Sequence, residues 1–205
     1  MSFFITGTDT NVGKTTVCAW LLIHFNYSYW KPIQAGLDTE DTEILKNVTQ
    51  IPDNKFLVPT YKLTEPLSPH EAAKRQNICI ELDIIKLDLE RTIVEGAGGI
   101  MVPLNKTCFI ADLMENLQLP VILVARSELG TINHTLLTIK EIERRGLDLK
   151  GIIISGKKTA HNRTALEEYS GYPILAEIDY INPINRKNLL AIKPEKKINE
   201  IFLST

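Results

Sequence analysis

Short apolar runs rich in β-branched residues constrain the fold of this chain more than any other feature. Four of them carry few charges and span residues 3–6, 92–95, 120–125 and 151–155. Runs of this length are typical of strands that are buried on both faces, as in a parallel sheet. Segments with helical spacing lie between them, at residues 14–25, 39–47, 109–117, 132–145 and 161–169. The alternation predicts an α/β fold with a predominantly parallel β-sheet flanked by helices.

Length and composition indicate one packed domain. The 205 residues contain no repeat or low-complexity boundary, and 44% of them are hydrophobic. This excludes a fibrous or disordered protein, and we expect a single domain over residues 1–205. Two proline-containing segments, 52–69 and 183–194, are expected to be irregular. A basic run near the end is expected to form a solvated face, with a mobile flap over a ligand as the alternative; it comprises Arg186, Lys187, Lys193, Lys196 and Lys197.

Charge and cysteine usage exclude several classes of protein. The net charge of −2 lacks the basic excess expected of a nucleic-acid binder. The three cysteines, Cys18, Cys79 and Cys108, form no CxxC pair, so we expect reduced thiols. The start of the chain has no basic lead or cleavage site, and its apolar stretches fall below the length of about 18 residues that a membrane span needs. We therefore expect a cytoplasmic protein with neither nucleic acid nor membrane as partner.

The segment GTDTNVGKTT, residues 7–16, follows the first apolar run and opens the first predicted helix. A glycine-bearing turn in this context lets backbone N–H groups converge on phosphate oxygens, while Lys14 supplies a cation and Thr15 can ligate magnesium. Five residues separate Gly7 from Gly13, one more than in the commonest phosphate loop. We interpret the segment as a variant phosphate loop and expect a P-loop NTPase-like fold; the alternative is a tight strand-to-helix turn.

A phosphate loop needs acidic partners for magnesium, because this ion prefers oxygen ligands. Glu95 ends the second apolar run and precedes a glycine-rich turn at residues 96–99. Its carboxylate is therefore expected at the sheet edge where open α/β sheets bind ligands. The second candidate, Asp41, has rivals in the same acidic segment, namely Asp38, Glu40 and Glu43. The residues alone leave that choice open.

A second lysine lies in KPIQAG, residues 31–36, after a further strand signal. Lys31 precedes Pro32 and can point toward the same sheet edge as Lys14. Two cations beside a γ-phosphate would stabilise the charge of a phosphoryl group during transfer to an anionic acceptor. The alternative is a surface lysine at the end of a strand.

Taken together, these segments resemble the dethiobiotin synthetase family of biotin-pathway ligases. The resemblance is carried by GTDTNVGKTT at 7–16, KPIQAG at 31–36, EPLSPH at 65–70, VEGAGG at 94–99 and LPVILVARSELGTINH at 119–134. The phosphate loop is shared by a superfamily, whereas the combination is specific. The resemblance implies that Asp41 is the magnesium-linked aspartate.

The resemblance also implies an activity and its residues. The reaction is the ATP-dependent carboxylation and ring closure of 7,8-diaminononanoate with CO2 or bicarbonate, with Lys14 and Lys31 as catalytic residues. Mg²⁺ would be held by Thr15, Asp41 and Glu95. The nucleotide would be bound by Asn11, Val12, Gly13, Lys14, Thr15, Thr16, Asp41, Glu95, Gly96, Ala97, Gly98 and Ser155. The substrate would be bound, in a homodimer with its site at the interface, by Thr10, Lys31, Gln34, Ala35, Gly130, Thr131 and Asn133.

Several residues depart from the family pattern or allow a second interpretation. Ala35 stands where many members have a serine, so Gln34 is expected to supply the missing contact. Ser155 and Gly156 stand where an Asn-Asp pair commonly reads the nucleobase, so loosened base recognition is expected. Asn133 has a helix cap as its alternative role. Structural roles are expected for two histidines and three aromatic residues, namely His70, His134, Tyr27, Tyr29 and Trp30.

Two rival functions remain beside the synthetase. A cobyrinate-type amide synthetase domain would need an attached glutaminase domain, for which 205 residues leave no room. A nucleotide-switched partitioning or positioning ATPase would carry an additional lysine early in the loop, where Thr8, Asp9 and Thr10 stand. The synthetase is therefore the preferred interpretation.

Overall fold

The computed structural model describes residues 1–38 and 40–203. Its strands are β1 (Phe3–Gly7), β2 (Ser28–Trp30), β3 (Ile33–Ala35), β4 (Tyr61–Leu63), β5 (Thr92–Gly99), β6 (Val121–Arg126), β7 (Leu149–Ser155) and β8 (Ile174–Ile178). Six of them form one parallel sheet in the order β2-β5-β1-β6-β7-β8. The two short strands β3 and β4 pair in a separate parallel ribbon.

Helices cover both faces of the sheet. They are α1 (Lys14–Phe25), α2 (Asp41–Thr49), α3 (Pro69–Arg75), α4 (Ile110–Leu117), α5 (Thr131–Arg144), α6 (Ala160–Ser170), α7 (Arg186–Ala191) and α8 (Lys196–Leu203). One apolar cluster joins the sheet to α1, α2, α7 and α8, and a second joins its other face to α3, α4, α5 and α6. The predicted α/β fold with a predominantly parallel sheet is thus confirmed.

The core explains why the apolar runs form central strands. Every residue of β1 is buried, and successive side chains of a strand point to opposite faces. Phe3 and Ile5 accordingly belong to the cluster that contains α1, whereas Phe4 belongs to the other. Phe25 at the end of α1 stacks on Phe202 of α8 with ring centroids 4.8 Å apart. This packing fixes β1 and α1, and hence the loop that joins them.

The predicted elements agree with the structure within one or two residues at most ends. Helix α1 has the predicted bounds, and Gly146, with φ 67°, follows α5 as expected of a helix stop. The predicted start of the second helix at Thr39 lies outside the described residues; α2 begins at Asp41. The prediction that Glu95 ends its strand is wrong, because β5 continues to Gly99. The glycine-rich segment is therefore itself part of the sheet edge.

The two segments expected to be irregular contain regular elements. Residues 52–69 include β4, and residues 183–194 include α7. The flap alternative for the basic tail is also wrong, because Ile198 and Phe202 of α8 are fully buried in the core. The lysines of this tail are exposed, as expected of a solvated face.

No helix within residues 1–38 and 40–203 is long and apolar enough to cross a membrane.

Candidate active site

The loop after β1 has the shape of an anion-binding turn. Asn11 and Gly13 both have a left-handed backbone, with φ of 58° and 95°. A side chain at Gly13 would not fit, because its Cβ atom would overlap the side chain of Ser155. Left-handed residues in such a turn direct successive N–H groups into a concave surface that binds anions. The positive end of α1, which begins at Lys14, adds to this site.

Lys14 lies over this loop. Its side chain is largely buried, with the residue 6% exposed, and Nζ donates a hydrogen bond of 2.9 Å to the carbonyl oxygen of Asp9. Burial lowers the pKa of Lys14, although the carboxylate of Glu95 acts in the opposite direction. The loop thus holds a poorly solvated ammonium group where a phosphate would sit.

Two carboxylates converge on Thr15 in the first turn of α1. Its hydroxyl lies 2.7 Å from Oδ1 of Asp41 and 3.0 Å from Oε1 of Glu95. Glu95 reaches this point from β5, which neighbours β1, and Asp41 from the start of α2. Two of the three acidic rivals point elsewhere, since Glu40 pairs with Lys62 and Glu43 with Lys46. The structure therefore brings together the three residues that the resemblance selected for magnesium.

Lys31 completes this cluster. It follows β2, is 7% exposed, and its Nζ donates to Oδ2 of Asp41 and lies 3.4 Å from Oε1 of Glu95. Burial opposes its charge, but the two carboxylates outweigh this and raise the pKa of Lys31. The pKa of Asp41 is lowered because Lys31, with help from Thr15, overcomes the effect of burial. The alternative of a surface lysine is wrong.

The cluster has the chemistry of a magnesium site. It presents three oxygen donors of the kind that Mg²⁺ prefers, namely the Thr15 hydroxyl and two carboxylate oxygens that each lie within 3.0 Å of it. Within residues 1–38 and 40–203 no three His, Cys, Asp or Glu side chains form a candidate metal site. A magnesium ion at Thr15, Asp41 and Glu95 would therefore need phosphate oxygens and water to complete its coordination.

The residues predicted for the diamine lie along the same edge. Thr10 is exposed, and its Oγ1 would be 3.4 Å from a Cβ at Gly98. Gln34 has a different environment from the expected one. Its amide group donates to the carbonyl oxygens of Ala35 and Gly36, and its Oε1 accepts from the N–H of Asp41 at 3.3 Å. Gln34, which is 2% exposed, thus ties β3 to the start of α2.

The start of α5 has the properties of a second anion site. Gly130, with φ 92°, precedes the helix and no described side chain caps it. The helix-cap alternative for Asn133 is therefore wrong, and its side chain is exposed. The hydroxyl of Thr131 is buried and has no hydrogen-bond partner among the described residues. The positive end of a helix and an unpartnered hydroxyl beside it suit a carboxylate.

Two residues around Glu95 were not predicted as part of the site. The hydroxyl of Tyr29 donates to Oε2 of Glu95 at 3.0 Å. Burial and then the charge of Glu95 raise the pKa of Tyr29 well above its usual value, and both effects, joined by a hydrogen bond, also raise the pKa of the Cys18 thiol. Tyr29 is two residues before Lys31, and both side chains reach Glu95. The spacing alone does not reveal the contact with Glu95, because that contact depends on the pairing of β2 with β5.

The expected hydrogen-bonding role is confirmed for His70. Nδ1 of His70 lies 2.9 Å from Oγ of Ser68 just before α3. His134 is exposed in the first turn of α5. Tyr27, Tyr29 and Trp30 are buried in the core, as predicted.

Comparison with known proteins concerns the family and the fold of the chain. A family model described as an AAA domain matches residues 1–188. Among solved structures, a ParA family ATPase from Chlorobium tepidum shares the fold with a TM-score of 0.54 and 10% identity, over 99% of this chain and 96% of the other. The septum site-determining protein MinD from Pyrococcus horikoshii gives a TM-score of 0.53 and 17% identity, over 99% and 93% of the two chains. These likenesses concern the fold.

Sequence relatives identify the family. The ATP-dependent dethiobiotin synthetase BioD of Paramagnetospirillum magneticum is 45% identical over 193 residues, which cover 93% of this chain and 94% of the relative. The enzyme of the same name from Lawsonia intracellularis is 41% identical over 205 residues, 99% of this chain and 100% of the relative. The chain therefore belongs to the dethiobiotin synthetase family of ATP-dependent ligases.

Proposed function

We propose that the chain uses MgATP to carboxylate 7,8-diaminononanoate and close its ureido ring, giving dethiobiotin, ADP and phosphate. The observation that carries this proposal is the buried cluster of Lys31, Asp41 and Glu95 beside Thr15 of the phosphate loop. A site that only hydrolyses a nucleotide needs side chains that bind the metal and the phosphates. The second buried lysine suits an anionic acceptor next to the γ-phosphate.

The nucleotide is assigned to the loop and its neighbours. Residues 11–16 surround the phosphates, and Gly96, Ala97, Gly98 and Ser155 contribute along the same edge. Thr15, Asp41 and Glu95 hold Mg²⁺, which, when bound, offsets the negative charge of the phosphate oxygens. Support comes from the placement of Ser155 against Gly13 and from the three oxygen donors around Thr15.

The chemistry requires an anion to attack an anion. One amine of the substrate adds to the carbon of CO2 and loses a proton, which gives a carbamate. A carbamate oxygen then attacks the γ-phosphorus, and the bond between that phosphorus and ADP breaks. The second amine attacks the carbamoyl carbon, the ring closes, and phosphate leaves with the bridging oxygen. Lys14 and Lys31 provide fixed positive charge on both sides of this transfer.

We assign the substrate to the side of the phosphates that lies opposite the nucleoside. Thr10 and Lys31 lie beside the reacting amines, and Gln34 fixes the backbone around Ala35. The start of α5, with Gly130, Thr131 and Asn133, receives the substrate carboxylate across a homodimer interface. Exposed apolar side chains next to this helix start support the interface, since Leu129 and Leu137 are 101% and 62% exposed.

Nucleobase recognition is proposed to be loose. Ser155 ends β7 where the family commonly has an amide side chain, and its Oγ faces Gly13 of the loop. A single hydroxyl discriminates poorly between bases. We expect ATP, GTP and CTP to compete with affinities within about tenfold of one another. A nucleotide competition series tests this, and much tighter binding of ATP than of GTP and CTP would contradict it.

The reaction is tested by phosphate release from MgATP, with and without 7,8-diaminononanoate and bicarbonate, together with mass analysis of the products. Release that requires the diamine and yields the cyclic urea is the expected result. Release that is independent of the diamine would contradict the proposal. We further propose that the chain acts as one domain in the cytoplasm, with neither nucleic acid nor membrane as partner.

A further inference from the structure

Glu95 is the most buried charged group of the site, and both of its oxygens are engaged. The residue is 1% exposed. Its Oε1 lies 3.0 Å from the Thr15 hydroxyl and 3.4 Å from Nζ of Lys31, whereas its Oε2 accepts a hydrogen bond of 3.0 Å from the Tyr29 hydroxyl. The two oxygens thus have separate tasks. One faces the proposed metal and phosphates, and the other faces a phenol in the core.

Tyr29 is held rigidly. The residue is fully buried, and its backbone in β2 pairs with Ile93 of β5, two residues before Glu95. Its ring meets that of Phe56 edge to face, with centroids 6.1 Å apart and planes at 64°. A tyrosine has two side-chain torsions, so its hydroxyl position is set by the ring. The hydrogen bond to Glu95 is therefore fixed by the fold before any ligand arrives.

We propose that Tyr29 is a positioning residue that turns Oε1 of Glu95 toward Thr15 and thereby sets the affinity of the site for Mg²⁺. The proposal rests on the assignment of magnesium to Thr15, Asp41 and Glu95. Without the hydroxyl, Oε2 would be a buried charged oxygen that has lost a hydrogen bond from a fixed donor, and the carboxylate would rotate toward Lys31 or the Cys18 thiol to replace it. Mutation of a residue that hydrogen-bonds to a metal ligand, without touching the metal, typically lowers metal affinity by about 10-fold to 100-fold.

The test uses Tyr29→Phe, which removes one hydroxyl and keeps the ring. The matched control is Tyr27→Phe, at a buried tyrosine whose ring contacts Phe3 and Phe202 on the far side from the site. Binding of a fluorescent ADP analogue to the full chain is titrated with Mg²⁺, and chelator alone gives the metal-free affinity. Circular dichroism verifies that both variants are folded.

The Mg²⁺ concentration for half-maximal tightening is expected to rise about tenfold in Tyr29→Phe and to stay unchanged in Tyr27→Phe. The metal-free affinity of Tyr29→Phe should match the wild type, because the phosphate loop is intact. Turnover of Tyr29→Phe should return to within about twofold of wild type at saturating Mg²⁺. A tyrosine that is merely structural would not give this rescue.

Two results would overturn the inference, and they are distinguishable. A normal Mg²⁺ response in the wild type and the same midpoint in Tyr29→Phe would refute the positioning role alone. A wild-type chain whose nucleotide affinity ignores Mg²⁺ would refute the metal assignment, and the positioning role with it.

Discussion

Two clusters of ion pairs in this molecule both join basic side chains to carboxylates, but they have different roles. The site cluster, made of Lys31, Asp41 and Glu95, lies at the sheet edge, and the side chains of Lys31 and Glu95 are 8% and 1% exposed. The helix cluster joins α4 to α5 through one arginine in contact with three acids: Arg145 with Asp112, Glu115 and Glu141. Its acids remain accessible to water, with Glu115 42% exposed.

The difference in hydration separates charges that stabilise the fold from charges that act on a bound ligand. The acids of the helix cluster stay partly solvated, with side chains 18% to 42% exposed, although Arg145 itself is 11% exposed. Ion pairs of this kind hold two helices together at small cost. In the site cluster Lys31 and Glu95 lose nearly all of their hydration, while Asp41 is 20% exposed. Their pairing therefore offsets a desolvation penalty more than it adds stability. A buried cluster of this kind adds little to the stability of the fold. The same cluster is suited to catalysis, because fixed charges act strongly on a phosphoryl group where water is scarce.

The sharpest test of this contrast is Lys31→Ala. We expect turnover to fall by about 10²-fold to 10³-fold while the chain remains folded, because the lysine acts on charge that develops during transfer. Lys14→Ala should also lose turnover for the same reason. Steady-state kinetics and thermal melting measure both effects, with Lys62→Ala as the control at an exposed lysine that pairs with Glu40. Normal turnover in either site variant would remove that lysine from the mechanism.

A second test separates neighbouring acids on α2. Asp41→Asn should weaken the Mg²⁺ dependence of nucleotide binding by about 10-fold to 100-fold, since a charged oxygen ligand is lost. Glu40→Gln, one residue earlier and paired with Lys62, is the control and should leave the metal response unchanged. Titration of nucleotide binding with Mg²⁺ measures both. Equal effects of the two substitutions would show that the acidic segment contributes only general negative charge.

The helix cluster predicts a smaller, pH-dependent effect. Hydrogen bonds from Arg144 and then Arg145 lower the pKa of Glu141 from 4.5 to about 2. A carboxyl group whose folded pKa is depressed adds stability above its unfolded pKa and loses it as the pH falls. Glu141→Gln should therefore cost about 1 kcal/mol at neutral pH after solvent screening, and the difference from wild type should vanish between pH 4.5 and 2.

Urea unfolding at several pH values measures this difference. Glu168→Gln, at an exposed glutamate on α6, is the matched control and should show no such trend. A Glu141→Gln penalty that is constant down to pH 2 would contradict an electrostatic origin.

Local patterns account for the part of the fold that could be predicted. β1, the loop and α1 follow from an apolar run, a glycine turn and a helical stripe that are adjacent in sequence. β4 and α7 could not be found in this way. They are 3 and 6 residues long, each lies among prolines, and α7 is stabilised by contact with α1. Short elements of this kind depend on packing that the local sequence does not contain.

The site shows the same division. Lys14 and Thr15 could be named from the loop pattern, and Glu95 from the apolar run that precedes the glycines, although its strand continues to Gly99. Asp41 could not be separated from Glu40 and Glu43 by residue type, because the choice depends on the rotation of α2 against α1. The contact of Tyr29 with Glu95 depends on the pairing of β2 with β5, which joins residues far apart in sequence.

The measurement that tests the central claim most directly follows oxygen from CO2. The account places a carbamate oxygen on the γ-phosphorus beside Lys14 and Lys31, so this oxygen must leave with phosphate when the ring closes. Rapid-quench turnover with ¹⁸O-labelled CO2 is therefore predicted to give phosphate with one labelled oxygen for each cyclic urea formed. Unlabelled phosphate, released together with a cyclic urea whose carbonyl carries the label, would contradict the account.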